Sequence, residues 1–431
     1  MVMRRFETGR EAALKLRPDE PVYCFRPSVL ARDVKTFLDA FPGKVAYAVK
    51  TNGEPFVLKT IAEAGVSCFD VASRHEFEAV RGVARHAEQL YMHPVKALSD
   101  IRRALEEHGI RTLALDHPDE FEKIRLIVQA LDLDPSEISL FVRLATKGHA
   151  AYELSKKFGA APREAIELLQ RVERHGFRPG ICFHVGSQVE DIATYDSALA
   201  LAAEVRRQAG VRLVGLDIGG GFPAPYGRDP RGPEKAVPDP ARLVRDIAAD
   251  VGRHGFDDVE LVAEPGRVMV ARSLSVIVRV LLRDGKRIYI NDGIWGSLSD
   301  SWTGKITLPA RLIPDPARKR RAGDPNRLDD FRVCGVTCDS VDILSRPFWL
   351  PSTVDTGDFI EIGHIGAYSL SLRTRFNGFY PDTFVEVDHA FEDDRDGLEG
   401  FATVETWGEP QTEAVTGEGD GRAVREGDAA G

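Results

Sequence analysis

The chain has 431 residues, of which 43% are hydrophobic and 29% charged, a composition typical of a folded protein long enough for two domains. Its formal net charge of -10 excludes a general basic surface for nucleic acid but is compatible with a small cationic ligand. Five cysteines, an odd number without paired spacing, exclude a disulfide framework and predict a reducing compartment.

Neither a signal peptide nor a membrane span is expected. The N-terminal residues MVMRRFETGREAALKL are basic but lack an uninterrupted apolar core. The most apolar later stretch, Val259–Leu282, contains Glu264, Arg267, Arg272 and Arg279, which hydrocarbon tolerates poorly. We therefore expect a cytoplasmic protein without membrane contact.

From about Val45 onward, short β-branched runs alternate with amphipathic helical runs. The predicted strands are VAYAV, VSCFDV, EQLYM, RTLAL, ISLFVRL, GICFHV, RLVGLDI and VELVAE, and the predicted helices include PFVLKTIAEAG, HEFEAVRGVA and Pro162–His175. Roughly eight βα units are the number of a TIM-type (β/α)8 barrel, which we place at residues 27–270. A doubly wound open sheet is the alternative, because chain order alone does not show closure.

After Arg267 the pattern changes to apolar or alternating runs with few long helices, such as SLSVIVRVLL, KRIYIND and FIEIG. Residues 1–26 and 271–395 are therefore predicted to form a mainly β domain. Within it, Pro314–Asp329 is charged and rich in turn formers, as in an exposed insertion. Residues 396–431 contain few large apolar side chains and are predicted to be a disordered tail.

Residues suited to chemistry follow nearly every predicted barrel strand, and the carboxyl ends of barrel strands meet on one face. Lys50 follows an apolar run; a desolvated lysine has a lowered pKa and can form a Schiff base with a carbonyl. Three glycines after LVGLDI let backbone N–H groups approach an anion, to which an arginine can add a contact. Together they suggest a phosphorylated aldehyde cofactor. The residues at this rim are Lys50, Asp70, His93, Arg143, His184, Ser187, Gly219, Gly220, Gly221, Glu264 and Arg267.

Each of these residues also has a purely structural interpretation. Lys50 fits a rim lysine with its ammonium in water. The glycines fit a tight turn between a strand and a helix, and His184 fits a hydrogen-bonded core histidine. Asp70, His93 and Arg143 fit structural rim residues equally well.

Six motifs in order resemble those of the fold-type III, pyridoxal phosphate (PLP)-dependent decarboxylases, the family of ornithine, diaminopimelate and arginine decarboxylases, and are most similar to the ornithine branch. They are YAVKTN, HVGSQ, DIGGGFP, EPGR, CDSVD and GAYSLSLRTRFNGF, and the resemblance extends from about Tyr23 to Glu386. The resemblance implies a PLP aldimine at Lys50. It also implies phosphate contacts from Ser187, Gly219–Gly221, Arg267 and Tyr368.

Further roles follow from the same resemblance. His184 would stack on the cofactor ring, and Glu264 would keep the pyridine nitrogen protonated, which favours decarboxylation over racemisation. Asp70, Arg143 and His93 would form a polar shell. The segment Lys147–Gly159 resembles the family's mobile active-site loop.

The second domain would complete the site of a partner subunit in a homodimer. By resemblance, Cys338 would protonate the substrate's α-carbon, Asp339 would bind the distal amine, and Phe376 would line the pocket; by residue type alone, Cys338 and Phe376 fit core packing. A family aspartate aligns with Gly304; Asp300 is the nearest carboxylate and would replace it as a contact to the distal amine of the substrate.

We therefore expect decarboxylation of a basic amino acid, with ornithine as the leading substrate. The alternatives are lysine, diaminopimelate or a modified diamino acid. A catalytically silent regulatory homologue is the alternative from another class of protein, although such a protein should lose Lys50, the glycines or Cys338.

Overall fold

The chain begins in one domain, crosses into a second and returns to the first. The computed structural model describes residues 3–146, 157–227, 239–319 and 321–393. The predicted tail, and all but the last residues of the predicted active-site loop, lie outside these ranges. The first elements, β1 (Arg4–Phe6), α1 (Gly9–Leu16) and β2 (Val22–Phe25), join a sheet that is otherwise built from residues beyond 270.

Eight parallel strands form a closed barrel in chain order, and all eight predicted runs are among them. They are β3 (Lys44–Ala48), β4 (Cys68–Val71), β5 (Glu88–Tyr91), β6 (Thr112–Leu115), β7 (Ser139–Leu144), β8 (Arg178–Phe183), β9 (Gly215–Asp217) and β10 (Glu260–Ala263). Closure is made where β10 pairs with β3, Val262 opposite Lys44. This pairing confirms the barrel and excludes the open sheet.

The helices that alternate with these strands are α2 (Pro27–Ala40), α3 (Pro55–Glu63), α4 (Arg74–Val83), α5 (Leu98–Glu106), α6 (Pro118–Ala130), α7 (Pro162–Arg174), α8 (Ile192–Ala209) and α9 (Pro240–Arg253). Five of them begin with proline in the first turn, where the missing N–H costs nothing. Inside the barrel, Phe141 fills the axis. A Cβ at Gly180 or Gly215 would lie 2.8 Å from the Phe141 ring, which explains glycine at both positions.

The second domain is mainly β, as predicted, and is built on a nine-stranded sheet. After the barrel helix α10 (Arg267–Val270), the remaining elements are β11 (Leu274–Asp284), β12 (Arg287–Ile290), α11 (Ser299–Thr303), β13 (Ala310–Ile313), β14 (Leu328–Cys334), β15 (Phe348–Pro351), β16 (Phe359–Ile362) and β17 (Thr383–Val387). The long strand β11 pairs with β2, β12 and β16. The described part of Pro314–Asp329 is mostly exposed between β13 and β14.

No helix within the described ranges is long and apolar enough to cross a membrane. All five cysteines have free thiols, and only Cys338 is exposed.

Candidate active site

Lys50 lies on the barrel rim, in a short 3-10 helix (Val49–Thr51) directly after β3. Its Nζ donates to Oδ2 of Asp70, on the neighbouring strand β4, at 2.9 Å. Burial by itself would lower the pKa of Lys50, but the carboxylates of Asp70 and Glu264 together raise it above its ordinary value. The direction is opposite to that expected for a desolvated lysine, because the negative charge of Asp70 and of the carboxyl pair that contains Glu264 outweighs desolvation.

Two buried carboxyl groups lie on neighbouring strands beneath this lysine. Asp217 ends β9 and Glu264 follows β10, and Val262 of β10 pairs with Asp217. The turn between them is fixed because Gly219 N donates to Asp217 Oδ1 at 2.8 Å and Glu264 N donates to Gly219 O at 2.8 Å. Burial raises the pKa of both carboxyl groups, and the charge of Asp217 raises that of Glu264 further. Both carboxyl groups therefore hold a proton more tightly than an isolated carboxyl group in water does.

The turn after β9 packs tightly against its neighbours. Gly219 and Gly221 have positive φ angles of 69° and 105°. A Cβ at Gly220 would lie 2.6 Å from the carbonyl oxygen of Glu264. The three glycines are thus required by backbone conformation and packing, whether or not an anion binds there.

His184 follows β8, and its ring lies beside this turn, because a Cβ at Gly220 would be 3.3 Å from His184 Nε2. Its Nδ1 accepts a hydrogen bond from Gly186 N at 3.1 Å. Burial, followed by the charges of Lys50 and Arg143, lowers the pKa of His184 well below its ordinary value. The imidazole is therefore neutral, with its proton on Nε2.

Arg267, in α10, contacts two other residues that were predicted to bind a phosphate, Ser187 and Tyr368. Its Nε donates to Ser187 Oγ at 3.1 Å, and its guanidinium lies 4.9 Å from the ring centroid of Tyr368. Tyr368 belongs to the second domain and is tied to the barrel rim because its N–H donates to Thr51 O at 2.9 Å. Tyr226, which was not predicted, accepts from Arg267 Nη1 at 2.7 Å.

Asp300 lies in this same cluster. Its Oδ2 and Oδ1 accept from Arg267 Nη1 and Nη2 at 2.6 Å and 3.0 Å. The expectation that Asp300 contacts the distal amine of a substrate is not supported, since its carboxylate is committed to the predicted phosphate arginine. This contact was not foreseeable, because the distance between α10 and α11 depends on how the two segments pack and not on any local sequence pattern.

Two predicted shell residues flank Phe158, at the end of the predicted active-site loop. The ring centroid of His93 and the guanidinium of Arg143 each lie 5.4 Å from the Phe158 ring centroid. Gly159, the next residue, is held because its N–H donates to Asp116 Oδ2 at 2.8 Å. His93 and Arg143 are thus placed at the rim.

Cys338, Asp339 and Phe376 form a second cluster, on loops of the β domain. Asn377 Oδ1 lies 3.1 Å from Cys338 N and 3.2 Å from Cys338 Sγ, which joins the two loops. Trp295 Nε1 donates to Asp339 Oδ2 at 3.2 Å, and its indole lies 5.8 Å from the Phe376 ring centroid. Among the described residues, no hydrogen bond of Cys338 or Asp339 reaches Lys50 or Arg267.

One buried aspartate fixes the loop that carries Cys338. Asp342 accepts from Ile294 N at 2.9 Å and from Thr337 N at 3.1 Å. The loop therefore has a defined position against the segment that carries Trp295, and Cys338 and Asp339 are presented on its outer side, Cys338 with its side chain exposed.

The structure combines a closed barrel and an added β domain with a rim lysine that lies among buried carboxyl groups, near the cluster around Arg267. This combination is typical of barrel enzymes that use a phosphorylated cofactor. The chain belongs to the pyridoxal-dependent decarboxylase family. Its residues 28–271 match the family's pyridoxal-binding domain, and residues 192–366 match its C-terminal sheet domain. It is a PLP-dependent amino-acid decarboxylase.

The relatives include proteins named as decarboxylases and one protein named as an inhibitor. The chain is 33% identical to a lysine/ornithine decarboxylase of Selenomonas ruminantium over 346 residues, 78% of this chain and 81% of the relative. It is 30% identical to antizyme inhibitor 2 of Xenopus laevis over 366 residues, 80% of this chain and 75% of the relative. The crystal structure of an SrLDC mutant in complex with PLP superimposes with a TM-score of 0.74 at 29% identity, covering 91% of this chain and 98% of the other.

Proposed function

We propose that the chain is a homodimeric ornithine decarboxylase that forms putrescine and carbon dioxide, with its PLP held at Lys50. The observation that carries this proposal is the position of the Lys50 amine, 2.9 Å from Asp70 and within the field of Glu264. The five unpaired cysteines fit a cytoplasmic location.

The residues of the rim fit the cofactor. Ser187, Arg267 and Tyr368 would hold its phosphate, together with N–H groups of the Gly219–Gly221 turn other than that of Gly219, which donates to Asp217. Arg267 and Ser187 already lie in hydrogen-bond contact at 3.1 Å, so both would face the same anion. When bound, the cofactor supplies an electron sink for the carbanion left by carbon dioxide loss.

The other charged and titratable groups of the rim would accept or hold protons. Asp70 accepts from the Lys50 ammonium and is positioned to take its proton when that amine reacts with an aldehyde. Glu264, whose pKa is raised by burial and by Asp217, would hold a proton at the ring nitrogen. His184 is neutral and would face the ring without adding charge.

The choice of substrate rests on Asp339. Its carboxylate is oriented by Trp295 Nε1 at 3.2 Å and by Val341 N at 3.0 Å, and it would pair with a distal ammonium. A distal carboxylate, as in diaminopimelate, would meet repulsion there. Lysine is the second candidate, because Gly304 stands where a family aspartate aligns and the similar protein of Selenomonas ruminantium is named a lysine/ornithine decarboxylase.

The homodimer is supported by the surface around Cys338. Four large apolar side chains on the two loops joined by Asn377, or next to them, are exposed, namely Val341, Leu372, Phe376 and Phe379. Exposed apolar groups grouped in this way mark an interaction surface. A second copy bound here would receive Cys338 and Asp339 into its own site.

The substrate is tested by measuring carbon dioxide release from ornithine, lysine, arginine and diaminopimelate with PLP-loaded protein. We expect the highest kcat/KM for ornithine. Lys50→Ala should abolish turnover and the visible absorbance of bound cofactor, whereas Lys59→Ala, on an exposed helix face, should change neither. Turnover by Lys50→Ala would refute the role of Lys50, and wild-type protein that binds no PLP would refute the enzyme and favour a silent homologue.

The shared site is tested with mixed dimers. Lys50→Ala and Cys338→Ala subunits, each impaired alone, should regain activity when exchanged, because half of the dimers are then mixed and each contains one intact site. The expected recovery is about a quarter of the wild-type rate. Activity no higher than that of the separate variants would show that each site is built from one chain.

A further inference from the structure

Helix α11 of the β domain reaches the barrel through one buried ion pair. Asp300, in this one-turn helix, accepts from Arg267 in a bidentate arrangement at 2.6 Å and 3.0 Å, and both residues are buried. A fork of this kind is the strongest common form of a charge-assisted hydrogen bond. The pair therefore determines which N–H groups of Arg267 are available to any other anion.

The donors of Arg267 are almost fully used. A guanidinium has five N–H groups. Nε donates to Ser187, Nη1 donates to Tyr226 and to Asp300, and Nη2 donates to Asp300, which accounts for four. A phosphate beside Ser187 can therefore take one N–H of Arg267 unless Asp300 releases the others.

The charges lead to the same conclusion. A phosphate ester carries about −1.5 to −2 charges at neutral pH. Arg267 paired with Asp300 has no net charge, so an approaching phosphate meets a neutralised cation and a carboxylate close to it. In a buried site this repulsion is only weakly screened by water.

We propose that Asp300 is an internal competitor for the phosphate of the cofactor and that it sets the affinity for PLP. The inference rests on the proposed phosphate role of Arg267. Asp300 is a positioning residue: it acts through Arg267 and makes the cofactor exchangeable. Its location in α11 couples cofactor binding to the contact between the two domains.

If Asp300 instead helped Arg267 to bind the phosphate, replacing Asp300 would change the affinity for PLP in the opposite direction. If Asp300 merely oriented Arg267 toward the phosphate, its removal would weaken PLP binding. If Asp300 competes, replacing it with a neutral group of the same shape strengthens PLP binding. A merely structural defect does not strengthen the binding of one ligand selectively.

The experiment compares full-length wild type, Asp300→Asn and Asp300→Ser in titrations with PLP and with pyridoxal, which has no phosphate, followed by tryptophan fluorescence. We expect Kd for PLP to fall about tenfold in both variants, since one charge-assisted contact is freed, while Kd for pyridoxal stays within a factor of two. Asp284→Asn, an exposed aspartate at the end of β11, serves as the matched control and should change neither.

A second measurement covers variants that are unstable without cofactor. PLP should raise the thermal unfolding midpoint of Asp300→Asn more than that of the wild type, because stabilisation by a ligand at a given concentration increases as its Kd falls. Equal or weaker PLP binding in both variants, or variants that PLP does not stabilise, would overturn the inference. Wild-type protein that binds no PLP would instead overturn the proposed function, so the two failures are distinguishable.

Discussion

Replacing Glu361 with glutamine should destabilise the β domain more than any surface change. Glu361, on β16, is completely buried. Its Oε1 accepts from Arg26 Nη2 at 2.7 Å and its Oε2 accepts from Arg311 Nε at 2.9 Å. Arg26 precedes the first barrel helix, so this cluster also ties the barrel to the sheet.

The magnitude follows from the electrostatics of the cluster. Burial by itself would raise the pKa of Glu361, but Arg311 and Arg26 lower it to about 2. Relative to an ordinary value of about 4.3, this is a difference of about two pKa units, or about 3 kcal/mol in favour of the folded state with Glu361 ionised. Glutamine leaves two buried guanidinium groups with only a neutral acceptor, and breaking a buried pair in this way costs about 3–5 kcal/mol.

The sign of the pH dependence is fixed because the folded pKa is depressed. The stabilisation by Glu361 is fully present above pH ~4.3 and is lost as the pH falls toward 2. Wild type should therefore lose β-domain stability across this window. Glu361→Gln, which has no proton to bind there, should lose less.

The assay is urea unfolding followed by tryptophan fluorescence. Three of the four tryptophans, Trp295, Trp302 and Trp349, lie in the second domain, so their signal reports the unfolding of this domain; Trp407 lies outside the described residues. Glu386→Gln, on strand β17 of the same sheet, is the matched control and should change the free energy of unfolding by less than about 0.5 kcal/mol. If Glu361→Gln behaves like this control at pH 7, the electrostatic reasoning is wrong.

Two further predictions concern the two clusters of the site. Gly220→Ala should weaken PLP binding about tenfold in a fluorescence titration, because its Cβ displaces the carbonyl of Glu264. Gly82→Ala, whose Cβ would meet no atom within 4 Å, is the control and should leave PLP binding unchanged. Equal effects of the two substitutions would contradict the packing argument. Asn377→Gly should speed alkylation of the Cys338 thiol several-fold, because it removes the side-chain oxygen that accepts from this thiol. Asn377→Asp should slow alkylation, because an adjacent anion disfavours the thiolate. Unchanged alkylation rates in both variants would show that this contact is unimportant.

The architecture was predictable because it depends on patterns local in the sequence. Alternating apolar runs marked all eight barrel strands, and the rule that carboxyl ends of barrel strands meet on one face brought Lys50, Asp70, His184 and Glu264 to one rim. Asp217 was missed as a site residue, although it stands in the DIGGGFP motif. Its position before the glycines is that of the last residue of a buried strand, which does not by itself indicate a functional role. Its raised pKa depends on contact with Glu264.

The sequence by itself determined the number of barrel strands, the order of the two domains and which functional residues follow the barrel strands, because these follow from side-chain periodicity and chain order. Only the tertiary structure decided the closure of the barrel, the raised pKa of Lys50 and the pairing of Asp300 with Arg267. Each of these depends on distances between groups far apart in the chain, and electrostatic energies and hydrogen bonds change steeply over a few ångströms.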